Sequence, residues 1–343
     1  MKKKLLISVC ILVILMTFSS CYENSPINIS QGKENKTLAS WNENSGIKNF
    51  LISYAEDVTN EESANFVPEE DRIAVFDLDG TILSENIDGR CFMEDLFYYR
   101  INEDPSYNIT PEFKAVVDST EDIFETKEGW ENWSEPFKGL DSAAYDKLVK
   151  DFREKNNPDY EELKYKDSFF KPMIELIEYL NEKNFKVYIV TGSCRDMTRA
   201  LIEDIVAVEN DRVIGTDYKR YVEANQSAGN EYEFEKTDKI VRGRELEYEN
   251  MGLNKVLAID KEIGEKPILA FGNSQGDYSM LEYTLSNGKY RTSAFVMNND
   301  DPKRSNGYEE GNESLVEKAK ETGFNIISIK NDFDKVFMNE ATE

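Results

Sequence analysis

Asp77 and Asp79 stand two positions apart at the end of the apolar run Ile73-Ala74-Val75-Phe76, and Gly80-Thr81 follows them directly. In a strand, residues i and i+2 point to the same side, so both carboxyl groups can converge on one ligand. Gly80 lets the backbone turn sharply beside a bound group, and Thr81 adds a hydroxyl. Two buried like charges repel, so the pair needs a cation or a shared proton. That chemistry suits a magnesium-dependent phosphoryl-transfer site. Three downstream clusters offer it partners. Thr191-Gly192-Ser193 ends the apolar run 185–190, Lys255 lies further on, and Gly272-Asn273-Ser274-Gln275-Gly276-Asp277 follows the apolar run 267–271. Each has a plain structural alternative. Thr191 alone can be a helix N-cap, Lys255 a solvated surface lysine with Lys239 and Lys266 as rivals, and Gly272–Ser274 a turn into a helix.

The elements that must position these residues can be read from hydrophobic pattern. Short apolar strands alternate with amphipathic helices. Ile47, Phe50, Leu51, Tyr54 and Val58 mark one helix, and Lys171-Pro172 opens another carrying Met173, Leu176, Ile177 and Leu180, since Pro suits a first helical turn. Further strands are expected at 293–297 and 325–329, and short strands and turns over 212–249. This alternation predicts an α/β fold with a doubly wound parallel sheet. In such sheets ligands bind beyond the carboxyl ends of the strands, where every polar cluster above falls. Residues 84–168 are acidic, aromatic and helical in pattern, and are expected as a helical cap inserted after the first core strand. The expected organisation is a leader over 1–20, a flexible tether over 21–45, a core over 46–83 and 169–343, and the cap over 84–168.

Composition narrows the function. The chain of 343 residues carries 41 Lys and Arg against 67 Asp and Glu, a formal charge of −26. Such acidity disfavours nucleic acid and anionic membrane surfaces as partners. There is no histidine, which removes histidine triads, phosphohistidine chemistry and imidazole-bound zinc. At the N-terminus, Lys2-Lys3-Lys4 precedes an apolar stretch from Leu5 to Phe18, too short for a comfortable membrane span. Ser19-Ser20-Cys21 after it resembles the lipobox of bacterial lipoproteins. That likeness implies lipidation of Cys21 and a lipid anchor on the outer face of a cell membrane; an ordinary secretory leader is the alternative. Of the other cysteines, Cys91 and Cys194 can form one disulfide, though their spacing does not require it.

With Asp77-x-Asp79-Gly80-Thr81, Thr191, Lys255 and Gly272-Asn273…Asp277 in this order, the chain over about residues 70–300 resembles the haloacid dehalogenase superfamily. The nearer likeness is to its phosphoserine-phosphatase-like branch, which includes bacterial phosphorylcholine phosphatases. The resemblance implies Asp77 as nucleophile and Asp79 as general acid and base. It also implies Thr191, Gly192, Ser193 and Lys255 around the phosphate, at a helix N-terminus. Magnesium would be held by Asp77, the Asp79 carbonyl and Asn273, with Asp277 beside them or ligating directly. Many relatives carry Gly-Asp where this chain has Gly272-Asn273; the Asn still offers a hard oxygen. Glu85 and Asn86 fall where relatives contact the organic part of the substrate, and Arg195 is a further candidate. Phe92, Phe97, Tyr98, Tyr99, Trp130 and Trp133 either line an aromatic pocket or build the cap interior. The implied function is a phosphomonoesterase acting on a small phosphorylated metabolite. A phosphorylcholine-specific enzyme and a non-catalytic surface lipoprotein are the alternatives. Carbon–halogen hydrolysis needs no acid at position 79.

Overall fold

Strand β1 (Ile73–Phe76) has every residue buried, as expected for four apolar residues in mid-sheet. The computed structural model describes residues 37–85, 89–119, 126–160, 163–223, 233–302, 304 and 309–338. β1 pairs in parallel with β2 (Lys186–Cys194) on one side and β5 (Leu269–Gly272) on the other. β6 (Ser293–Asn298) and β7 (Asn325–Ser328) continue in parallel beyond β5. β3 (Val213–Glu223) adds in parallel to β2, and β4 (Lys239–Tyr248) closes that edge antiparallel to β3. The order is β4-β3-β2-β1-β5-β6-β7. The expected doubly wound α/β sheet is therefore present, with one antiparallel edge strand.

Alternation along β1 divides the interior. Ala74 and Phe76 join the larger apolar cluster with α1 (Gly46–Thr59) and α6 (Lys171–Glu182). Val75 faces the smaller cluster, which holds Ala258 and Ile259 of α8 (Leu253–Glu262) and Met280 and Leu281 of α9 (Tyr278–Leu285). On the larger side, Phe76, Phe271 and Phe295 stack across three neighbouring strands, with centroids 4.2 and 4.7 Å apart. This ladder ties β1, β5 and β6 together just below the strand ends.

The inserted segment is helical, with α2 (Phe92–Asn102), α3 (Pro111–Ser119), α4 (Lys127–Ser134) and α5 (Ser142–Arg153). It leans on β3 and β4: the Tyr218 hydroxyl donates to the Trp130 carbonyl at 3.1 Å, and the Ser134 hydroxyl to the Gly243 carbonyl at 3.1 Å. Segment 212–249 differs from the expected short strands. β3 and β4 have 11 and 10 residues and form one antiparallel pair. β3 starts as a buried core strand and runs on into exposed residues, so its apolar signal fades halfway.

Residues 37–45, expected within the tether, are packed against the fold. Trp41 is wholly buried, its indole N–H donates to the Pro172 carbonyl at 2.9 Å, and its ring meets Phe333 edge-on at 4.9 Å. Ser45 caps α1 by accepting from the Lys48 amide. Residues 37–45 are thus part of the packed unit that begins at Lys36. Sparse apolar residues among Asn and Ser hid this docking. Cys21 and the leader lie outside the described residues. No helix among the described residues is long and apolar enough to cross a membrane.

Candidate active site

The Asp77 amide donates to the Phe271 carbonyl at 2.9 Å, which sets the end of β1 beside the end of β5. The chain then folds back on itself, and the Leu78 carbonyl accepts from the Thr81, Ile82 and Leu83 amides. Gly80 sits at φ +75°, and a Cβ there would lie 1.8 Å from Asn273 Nδ2. Any side chain at position 80 would therefore be strained and would drive Asn273 away. A Cβ at Gly192 would meet Met251 Sδ at 2.1 Å, a contact that the exposed Met251 side chain can relieve by moving.

Three charged groups lock together beneath this turn. Lys255 Nζ donates to Asp77 Oδ1 and to Asp277 Oδ1, each at 2.6 Å, and all three side chains are at least nine-tenths buried. The other oxygen of Asp277 accepts from the Asn273 and Ser274 amides, both at 3.0 Å, and from the Ser274 hydroxyl at 3.3 Å. Asp79 Oδ2 accepts from the Ser193 hydroxyl at 2.7 Å. Asn273 Nδ2 donates to Glu85 Oε2 at 3.2 Å. A cavity of about 180 Å³ opens over these groups, lined by Asp77, Asp79, Glu85, Gly192, Ser193 and Lys255 on one side. Cys91, Met93, Trp130 and Met251 give it an apolar flank.

Burial shapes the electrostatics. Desolvation first, then the Asp277 charge, push Asp77 up to about 8 against the pull of Lys255. Asp79 is also raised by burial, with the Ser193 hydrogen bond opposing. Glu85 is raised well above the carboxylate range by burial and by the Asp79, Asp77 and Asp277 charges. Burial works against the charge on Lys255, but the Asp277 and Asp77 carboxylates outweigh it and raise its pKa. Four carboxyl groups thus gather around one ammonium, which contacts two of them, Asp77 and Asp277. Among the described residues, Lys255 is the only Lys or Arg lining the cavity.

This imbalance and the donor set fit a small divalent cation. The Thr81 hydroxyl lies 3.4 Å from Asp77 Oδ2 and 3.5 Å from Asn273 Oδ1, so two hard oxygens from different strands approach one place. Among the described residues, no three Asp, Glu or Cys side chains gather into a metal cage. A cation here would rely on amide and main-chain oxygens as well as Asp77.

The sequence profile of the haloacid dehalogenase-like hydrolases matches residues 74–282. The chain belongs to this family. Among solved structures, a functionally unknown protein from Anaerococcus prevotii has a TM-score of 0.51 at 16% identity, covering 82% of this chain and 91% of its own. A cytosolic 5'-nucleotidase IIIB bound to cytidine has a TM-score of 0.47 at 12% identity, covering 85% and 86%. A phosphoserine phosphohydrolase-like protein from Francisella tularensis has 0.40 at 13%, covering 75% and 94%. No curated protein sequence matches the chain. At these identities the likeness is one of fold.

As a haloacid dehalogenase-like hydrolase, the chain brings most of the residues singled out in its sequence together. Asp77, Asp79, Glu85, Gly192, Ser193, Lys255, Asn273 and Asp277 converge. Thr191 is fully buried and is not among the residues lining the cavity; its hydroxyl accepts from the Ser193 amide at 3.0 Å. Residues 191–193 end β2 just ahead of α7 (Arg195–Ile202), whose N-cap is Cys194. Arg195 is turned away, held by Glu262 at 2.6 and 2.8 Å and by Asp217 at 2.9 Å. Asn86 lies outside the described residues. Lys239 pairs with Asp141 and Lys266 with Ser286, both elsewhere.

Of the cap aromatics, Trp130 reaches the cavity. Phe92, Phe97 and Trp133 fill the interior, Tyr99 stacks on Phe152, and Tyr98 is exposed. Cys91 and Cys194 are free thiols, so the possible disulfide is not made. Cys91, Met93 and Met251 escaped the sequence reading, because no spacing distinguishes an apolar cavity wall from core.

Proposed function

We propose that this hydrolase is a magnesium-dependent phosphomonoesterase that works through an aspartyl-phosphate on Asp77. The observation that carries this reading is the Lys255 bridge to Asp77 and Asp277 beside Asp79, at the floor of one cavity. Asp77 attacks phosphorus, and the ester oxygen leaves with a proton from Asp79. Asp79 then takes a proton from water, which displaces the Asp77 carboxylate and frees orthophosphate. Lys255 stays charged throughout and offsets the phosphoryl oxygens. Asp277 orients Lys255 and, through the amides it accepts, Asn273. Asp77, Asn273 and the Asp79 carbonyl would hold Mg2+, which would supply positive charge for the phosphoryl group.

The substrate is a small phosphate monoester, since about 180 Å³ must hold the phosphoryl group and its alcohol. Trp130 on the same cavity, with Glu85 gaining its charge as a cation enters, favours a cationic alcohol such as choline. A non-catalytic surface role gives no reason to keep several carboxyls under one lysine, an arrangement that costs folding stability. Export and a lipid anchor at Cys21 complete the proposal, on the strength of the leader alone. The test is turnover of p-nitrophenyl phosphate by residues 22–343, with and without Mg2+. Activity should require the metal and vanish in Asp77→Asn; silence of the wild type across phosphate esters would remove the enzymatic reading.

A further inference from the structure

Ser193 was expected to meet phosphate through its amide; its hydroxyl donates to Asp79 Oδ2 at 2.7 Å. Its own amide is committed to the Thr191 hydroxyl. The remaining carboxyl oxygen, Asp79 Oδ1, is shielded from solvent and has no hydrogen-bond partner among the described residues. Buried carboxyl oxygens usually have one. Asp79 also lines the reaction cavity, so one of its oxygens is pinned by Ser193 and the other is left without a partner beside the reacting groups.

The residue after Ser193 is anchored from β4 and from α2. Cys194 Sγ accepts from Arg242 Nη2 at 3.4 Å, and the Cys194 amide donates to Met93 Sδ at 3.4 Å. Arg242 Nη1 also donates to Asp196 Oδ2 at 2.7 Å. Ser193 therefore sits on a strand end clamped from both sides, which limits the freedom of its hydroxyl.

Resting on the phosphatase reading, we propose that Ser193 is a positioning residue for proton transfer, not a phosphate ligand. It pins Asp79 through Oδ2 and reserves Oδ1 for the ester oxygen. In the first step the bond from phosphorus to the ester oxygen breaks and the one from Asp77 to phosphorus forms. The electron pair on the departing oxygen takes the proton from Asp79 Oδ1. In the second step the proton of the attacking water returns there.

This predicts a dependence on leaving group, because p-nitrophenolate departs without a proton and an alkoxide does not. Ser193→Ala should lower kcat for ethyl phosphate by about tenfold or more, a part of what a general acid supplies. In a single turnover, release of p-nitrophenolate should stay within about threefold, which also reports a folded site, while breakdown of the phosphoenzyme, which uses Asp79 for either ester, should slow. Ser193→Cys, of similar size but a weaker donor, should lose activity with the same selectivity, and Ser193→Thr should restore it. Asp79→Asn gives the reference pattern. Equal losses on both esters in the leaving-group step, a raised KM for both, or no loss on either would overturn the positioning role. Wild-type silence on both esters would instead overturn the phosphatase reading beneath it.

Discussion

At the scale of single residues, the site is a charge imbalance held by burial. Asp77, Asp79 and Glu85 all have raised pKa values, with burial the largest cause for each. Unfolded carboxyls titrate near pH 4. Below that value both states hold these protons and the groups carry no penalty. As pH rises, the unfolded chain releases them while the folded chain retains them, so stability falls with rising pH. The window runs from the unfolded carboxyl value up to about 8, where Asp77 titrates. Asp71 and Asp141 have lowered values, chiefly through hydrogen bonds from Lys289 and from the Ala144 amide respectively. Their contribution has the opposite sense, but it is lost only below the unfolded carboxyl value. There is no histidine in the chain, and the raised carboxyls of Asp146, Glu178 and Asp217 act in the same sense as the site. The metal-free protein should therefore melt at lower temperature at about pH 8 than at about pH 5, and Mg2+ should reduce the difference. Asp77→Asn should flatten the slope. A melting temperature that climbs across this range would contradict the electrostatics described here.

At the scale of elements, the strand ends were the most legible part. Asp77 and Asp79 after Phe76, and Asn273 after Phe271, follow buried runs whose composition announces mid-sheet strands, so both position and direction could be read. What could not be read was how residues after β2 are used. Thr191 and Ser193 are polar residues at a strand end, and nothing in their spacing says that one hydroxyl serves the backbone and the other serves Asp79. Arg195 illustrates the same limit, since its partners Glu262 and Asp217 lie far along the chain. Arg242 is the clearest case of a residue invisible until folded. It is buried, ion-paired to Asp196, and its guanidinium lies 4.2 Å from the Tyr145 ring centroid. It thereby joins β4, α5 and the start of α7. Arg242→Met removes the cation and leaves Asp196 with Arg220 as its nearest partner. The expected cost is about 3 kcal/mol, measured by denaturant unfolding. A change below about 0.5 kcal/mol, the size of an ordinary surface substitution, would show that the clasp is incidental.

At the scale of the whole molecule, the parallel sheet gathers the ends of β1, β2 and β5 on one edge, and the cap helices close over them. The sheet was legible because apolar strands alternate with amphipathic helices along the chain. The docking of residues 37–45 was not, because one tryptophan in a polar segment carries no periodic signal; its burial against Pro172 and Phe333 depends on chain far away. The same holds for the cavity wall of Cys91, Met93 and Met251, where chemistry is set by what the fold leaves uncovered. All of these parts serve one proposed event, transfer of a phosphoryl group to Asp77. The direct measurement is to quench the Mg2+-loaded protein in acid during turnover of a phosphate ester and to map the phosphoryl group by peptide mass. The account predicts one phosphoryl group on the peptide containing Asp77, removed by hydroxylamine and missing from Asp77→Asn. Turnover with no modified peptide, or with the phosphoryl group on any other residue, would contradict it.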